Sequence, residues 1–297
     1  MASLGSILVP IDFSVYSLNA LTTAVAMSER HGAELHLLHV IDLSTYHLEE
    51  TNNELSLLST EEILHAETAK IKELAHNLAK QHSIRCSGGC RVGSIETEIV
   101  AEANKTGDDL IVLGTHGTSD SQSLYTGTEA YRVIKTAACP VLTVPDRSEW
   151  TTFNRILFPV RPVPGALEKY DFARLLTQQS HAELIVLALY APDEVISLGQ
   201  LQDEIAILHK QLAEDGIQSR TLFCPTDLIA ETILQKAEEL ASDLLIITAT
   251  LDTTLQDFFV GPFSQQIVHN ARIPVLSIRP QSTSAGQRIA WHYGSLT

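Results

Sequence analysis

The sequence predicts an α/β protein made of two doubly wound domains in tandem, each built on a five-stranded parallel sheet. Two observations predict it. The chain repeats itself, and within each repeat short continuous apolar runs alternate with stretches of helical periodicity. ILVPIDFS at 7–14 returns as ILFPVRPV at 156–163, and AELHLLHV at 33–40 returns as AELIVLAL at 182–189, both at an offset of 149. DDLIVLGTHG at 108–117 returns as SDLLIITATL at 242–251, and ACPVLTVP at 138–145 as RIPVLSIR at 272–279, both at an offset of 134. Two constant offsets confine the length difference to one segment, roughly 43–90, where the polar stretch STYHLEETNNELSLLST is the excess, a surface loop.

In the first repeat, 7–11 is a β-branched strand ending at Asp12. A helix follows over 14–31, with Leu18, Leu21 and Val25 on one face. Residues 35–40 form a second strand. Ile63, Ala66, Ile71, Leu74 and Leu78 mark a helix over 60–82. A weaker strand over 84–92 leads to a helix over 94–105 that Ser94 is placed to cap. A strand at 110–113, a helix at 128–136 and a last strand at 141–144 complete the unit. Continuous apolar strands joined by helices call for a parallel sheet covered on both faces. The domains expected are 1–146 and 154–280, followed by a polar tail, 281–297.

A length of 297 residues with 44% hydrophobic residues suits two such cores. No apolar run approaches the ~20 residues of a membrane-spanning helix. The N-terminus enters a strand without a basic leader, so a cytoplasmic location is expected. Four scattered cysteines do not make a disulfide scaffold. Cys86 and Cys90 lie in the alternating stretch IRCSGGCRVG and read as strand cysteines rather than the start of a metal site. The net charge of −16 argues against nucleic acid and against anionic membrane surfaces as partners. It leaves room for a nucleotide whose phosphates are met by backbone amides and a divalent cation.

The strand at 110–113 joins the helix at 128–136 through Gly114-x-x-Gly117, nine residues, then Gly127-Thr128. In a doubly wound sheet, ligands bind beyond the carboxyl ends of the strands, where strand order reverses. Glycines at 114 and 117 permit a tight turn and close approach of backbone to ligand, or are ordinary turn glycines. Gly127 and Thr128 stand where a helix opens, offering free N–H groups to an anion, or forming a plain helix entry. Asp12 is placed either to cap the following helix or to contact a ligand, and the two roles are compatible. His116 has no partner at a spacing that suggests catalysis.

These segments, with PIDFS, LLHVID, LGTHG and CPVLTV around them, resemble the universal stress protein family in its tandem form, over nearly the whole chain. The resemblance implies an adenine-nucleotide α-hydrolase-like fold and an ATP site in the first domain, with Mg²⁺ or Mn²⁺ accompanying the nucleotide. It implies that Asp12 lies near the nucleoside and that the Val40 backbone faces the adenine edge. Gly114, Gly117, Gly127 and Thr128 are then around ribose and phosphates, with Pro10, Ile11 and Leu113 as pocket wall. Thr118 stands where relatives commonly have a base, Asp120 adds an acid, and the Glu129 carboxylate competes with phosphate at the helix start. Those departures imply weaker affinity or greater dependence on the cation.

In the second half, Asp12 becomes Arg161, Val40 becomes Leu189, Gly114 becomes Thr248, Gly117 becomes Leu251 and Thr128 becomes Pro262; only Gly261 persists. One nucleotide site per chain is therefore expected. Residues 151–280 are read mainly as structural, with a separate pocket around Arg161 as the alternative. The resemblance also implies that the last strands of the two halves pair antiparallel, making an internal pseudo-dimer; a homodimer through edge strands is also open. The functional reading is a stress-response protein that binds ATP as sensor or regulator and is not an efficient enzyme. The alternatives are a nucleotide-independent interaction scaffold and, less favoured, a hydrolase sharing the same sheet.

Overall fold

The computed structural model describes residues 4–42, 59–115, 127–146, 150–162, 165–192, 195–249, 251–252, 259–260 and 262–279. The first half runs β1 (Ser6–Pro10), α1 (Val15–His31), β2 (Glu34–Ile41), α2 (Thr60–His82), β3 (Cys86–Val92), α3 (Ile95–Thr106), β4 (Leu110–Gly114), α4 (Gly127–Thr136) and β5 (Val141–Val144). The second runs β6 (Arg155–Val160), α5 (Tyr170–Ser180), β7 (Glu183–Tyr190), α6 (Val195–Glu214), β8 (Ser219–Pro225), α7 (Ile229–Glu239) and β9 (Leu244–Thr248). It ends with β10 (Leu251–Asp252), β11 (Phe259–Val260), α8 (Pro262–Asn270) and β12 (Val275–Ile278).

Local chemistry sets the helix ends. Ser14 caps α1 by accepting from the Ser17 N–H, and Gly32 ends it in the left-handed conformation, at φ 70°, with Arg30 and His31 in the last turn. Ser59 and Glu62 form a reciprocal capping box at the start of α2. Ser94 precedes α3 but its side chain makes no capping hydrogen bond, contrary to the sequence expectation.

Ten strands form one sheet in the order β3-β2-β1-β4-β5-β12-β9-β6-β7-β8. Within each half the five strands are parallel; β5 and β12 join the halves antiparallel. Both faces are apolar, which is why the strands read as unbroken hydrophobic runs. Ile7, Val9, Leu35 and Val112 of the first half share one buried layer with Ile156, Leu184 and Leu276 of the second. Leu8, Ile111 and Val133 share the opposite layer with Leu157, Leu245 and Ile267. Each layer thus runs across the whole chain.

The junction is self-complementary. Leu142 lies opposite Leu276, its own equivalent at the offset of 134, while Thr143 faces Val275 and Val141 faces Ser277. Thr143 Oγ1 donates to the Val275 carbonyl at 3.2 Å, and Arg279 Nη1 donates to the Ala137 carbonyl at 2.9 Å. Helices α4 and α8 pack across the same junction. The internal pseudo-dimer is therefore present, and it covers one edge of each half-sheet. No described helix is long and apolar enough to cross a membrane.

Leu276→Ala removes a side chain that is 1% exposed at the centre of this seam, so a loss of about 2–5 kcal/mol is expected. Urea unfolding followed by far-UV dichroism and by tryptophan fluorescence should show both transitions moving together. A shift in only one of them contradicts a single cooperative unit.

Candidate functional site

In the first half, β1 sits between β2 and β4, so the chain winds outward in both directions from the β1–β4 pair. The crevice that reversal creates lies beyond the carboxyl ends of these strands. Pro10 ends β1, and Ile11 continues it by one hydrogen bond, donating its N–H to the Leu38 carbonyl at 2.8 Å. The chain then turns away through Phe13, a non-glycine residue at φ 61°, a conformation that costs such a residue free energy.

Asp12 holds that turn. Its Oδ1 accepts from the Ser14 N–H at 3.0 Å and from the Ser14 hydroxyl at 2.6 Å. Ser14, not Asp12, is the helix-capping residue, and Asp12 orients it from two positions upstream. Asp12 Oδ2 is buried and has no hydrogen-bond partner among the described residues. A buried carboxylate oxygen left without a donor costs free energy, so its place in the crevice suits a ligand group that donates a hydrogen bond or a cation.

Val40 is buried near the end of β2. Peptide groups along a parallel strand alternate between its two neighbours. The Leu38 carbonyl reaches Ile11, and Val40 directs its peptide edge the same way, past the point where β1 has left the sheet. Beside it, His39 Nδ1 donates to the Ile11 carbonyl at 2.6 Å, and its ring lies 5.3 Å from that of Phe13.

Leu113 is buried, and Gly114 ends β4. The close approach that excludes a side chain at Gly114 is to protein: an added Cβ lies 2.3 Å from the Tyr16 carbonyl oxygen. The glycine lets β4 meet the first turn of α1, a reason different from the ligand contact expected from sequence. Thr115 extends the strand, donating its N–H to the Val144 carbonyl at 2.8 Å. Gly117, with the rest of 116–126, lies outside the described residues. Gly127 opens α4, with Thr128 and Glu129 in its first turn. Glu129 Oε1 pairs with Arg132 Nη1 at 3.0 Å, which draws its charge away from competition at the helix start. Pro10, Ile11, Asp12, Val40, Leu113 and Gly114 thus gather at one end of three adjacent strands. Ser14, Ser17, His39 and Thr115 were not singled out in the sequence, though a hydroxyl directly after Gly114 is a legible signal.

In the second half the same crevice has different chemistry. Arg161 follows β6, Leu189 is buried in β7, and Thr248 ends β9. The residues matching the glycine loop form a hairpin instead, Leu251 facing Val260 and Asp252 facing Phe259. The sequence reading did not foresee it. Backbone that pairs with itself is withdrawn from binding a ligand. Lys169, at the start of α5, is buried, and its ammonium donates to the Pro159 carbonyl and lies 4.7 Å from the Phe158 ring centre. Burial first, and Arg161 second, hold its pKa down to about 7.

Burial pushes the Cys86 and Cys90 thiols up to about 11 and Cys139 to about 12. Among the described residues, no group of three or more His, Cys, Asp or Glu side chains is placed to hold a metal.

Two parallel half-sheets joined edge to edge, each with a crevice at its strand reversal, define a tandem doubly wound α/β protein. The family model of the universal stress proteins matches residues 4–145 and again 152–279. The chain belongs to the universal stress protein family and takes the stress-response role of that family. It is 32% identical over 138 residues to a universal stress protein of Methanocaldococcus jannaschii, a match covering 46% of this chain and 80% of that one. It is 24% identical to a universal stress protein of Synechocystis, covering 92% of this chain and 99% of the relative. Its fold matches a universal stress protein structure from Archaeoglobus fulgidus with a TM-score of 0.72 at 16% identity, over 94% of this chain and 100% of that one.

Gly114→Ala places a methyl group against backbone that cannot rotate away, so it should destabilise the protein by at least about 2 kcal/mol in urea titrations. Wild-type stability would contradict the packing reason given for this glycine. Lys169 yields a pH prediction. Its folded pKa is about 7 against 10.5 for an unperturbed lysine, so between these values the unfolded chain binds the proton more strongly. Stability therefore gains a contribution as pH rises from about 7 towards 10.5. Subtracting the Lys169→Met profile from the wild-type profile should leave that rising slope; a flat difference contradicts it.

Proposed function

We propose that the first domain binds ATP together with Mg²⁺ or Mn²⁺ and that the protein acts as a nucleotide-dependent sensor or regulator in the cytoplasm. The observation that carries this reading is Asp12 Oδ2, a buried carboxylate oxygen without a partner among the described residues, at the strand reversal of the first half. The Val40 peptide edge beside it suits the hydrogen-bonding edge of a base. The N-terminus of α4, with Gly127 and Thr128, suits phosphate. Pro10, Ile11 and Leu113 supply apolar wall. The cation would neutralise phosphate charge that the chain does not meet with a lysine, since the loop carries no lysine or arginine between Gly114 and Gly127. Without a P-loop lysine or an arginine finger, hydrolysis is slow and occupancy rather than turnover is the signal.

The second reading is a scaffold that needs no nucleotide. The β5–β12 pairing and the two shared core layers favour it, because they hold the halves together without any ligand.

Thermal unfolding separates the two. A ligand at one hundred times its dissociation constant stabilises by about 2.7 kcal/mol. ATP with Mg²⁺ should therefore raise the melting temperature by several degrees, ATP with a chelator by much less, and Asp12→Ala should lose most of the rise. An unchanged wild-type melting temperature at millimolar ATP and Mg²⁺ gives the answer to the scaffold.

A further inference from the structure

We propose that the second half carries an anion site of its own, between Arg161 and Lys169, which takes a small oxyanion such as the phosphate or carboxylate end of a metabolite. The proposal concerns a different crevice from the nucleotide site and does not rest on it. A cavity of about 30 Å³, open on one side, is lined by Pro159, Arg161, Lys169, Thr248 and Phe263, among others. One water needs about 10–15 Å³ by that measure, so the space suits a single oxyanion group and not a nucleoside.

Two cationic side chains belong to its otherwise largely apolar lining. Arg161 stacks on Phe263 with 5.8 Å from guanidinium carbon to ring centre, and Lys169 is 4% exposed. Neither forms an ion pair with a carboxylate among the described residues, although the chain carries a net charge of −16 and pairs the half-buried Arg91, Arg174 and Lys236 with carboxylates. Holding a buried ammonium beside a half-buried guanidinium without a counter-ion is unfavourable, and a bound anion relieves it.

The polar inventory agrees. Thr248 is 9% exposed, and its hydroxyl is buried without a partner among the described residues. Among the described residues, the Lys169 ammonium uses one of its three donors, on the Pro159 carbonyl. Phe263 belongs to the first turn of α8, so the cavity also lies at the positive end of a helix. The residues that stand in the repeat for Asp12 and Gly114, Arg161 and Thr248, are the ones that supply the cation and the hydroxyl. Burial holds the Lys169 pKa near 7, and an anion beside it would raise that value.

The test is thermal unfolding at pH 7 against inorganic phosphate, with chloride holding ionic strength constant, for wild type, Arg161→Gln and Thr248→Val. Any phosphate captured by the first half is common to all three proteins. The expected result is a saturable rise in wild type whose half-maximal concentration increases about tenfold or more in Arg161→Gln. Thr248→Val, which removes a hydroxyl that has no partner, should unfold at or above the wild-type temperature without phosphate yet respond less to it. It keeps the test valid where Arg161→Gln folds poorly. Acetate in place of phosphate separates the two chemistries: a saturable rise with either supports the site and says which group it takes. Equal responses in all three proteins, or no response in wild type up to about 50 mM of either anion, where affinity is too weak to matter, would overturn the proposal.

Discussion

Leu142 facing Leu276 across an antiparallel seam is the contact on which the architecture depends. A parallel half-sheet ending at β5 exposes a row of unpaired peptide groups and one open side of each apolar layer. Pairing β5 with β12 satisfies the peptide groups and joins the layers, so Val112 and Leu276, from different halves, lie in one core. The central partners, Leu142 and Leu276, are repeat equivalents, and the pairs on either side exchange places about them, which is the geometry of a two-fold dimer contained in a single chain. Among the described residues, the outer edges of the ten-stranded sheet are β3 and β8.

That arrangement frees the two strand reversals to diverge. Each is built by the same winding, and each lies beyond the carboxyl ends of its strands. In the first half the crevice carries a carboxylate, Asp12, whose second oxygen lacks a donor. In the second it carries Arg161 and a buried Lys169, with the former loop closed into a short hairpin. The fold is kept by the apolar layers, where the exchange of Val40 for Leu189 leaves an apolar side chain in place. The chemistry is set by a handful of residues at the strand ends, so charge can invert without loss of structure.

Much of this was legible in the sequence, and the exceptions have physical causes. The periodicity of Ile63, Ile71 and Leu74 gave α2 over Thr60–His82, and the buried strands announced themselves as continuous apolar runs. Strand β3 read weakly because Gly88 lies where an added Cβ would sit 2.6 Å from the Ile71 carbonyl oxygen, and α2 needs that space. Gly114 announced a close approach but not what approaches; the neighbour is the Tyr16 backbone. The hairpin of β10 and β11 was hidden because its residues read only as a degraded copy of the glycine loop. Lys169 was hidden because a lysine beside Glu168 and close to Asp171 reads as surface, and only the fold around β6 and α5 buries it. Asp12 was recognised, but its division of labour, one oxygen on Ser14 and one without a partner, is a matter of geometry.

The central claim is that the two reversals, alike in fold, differ in what they hold. Calorimetric titration of the whole chain with ATP in excess Mg²⁺ measures this most directly, because it counts sites. One nucleotide per chain is the predicted stoichiometry, with the second half contributing none. Two per chain, or no saturable heat at all, would contradict the account.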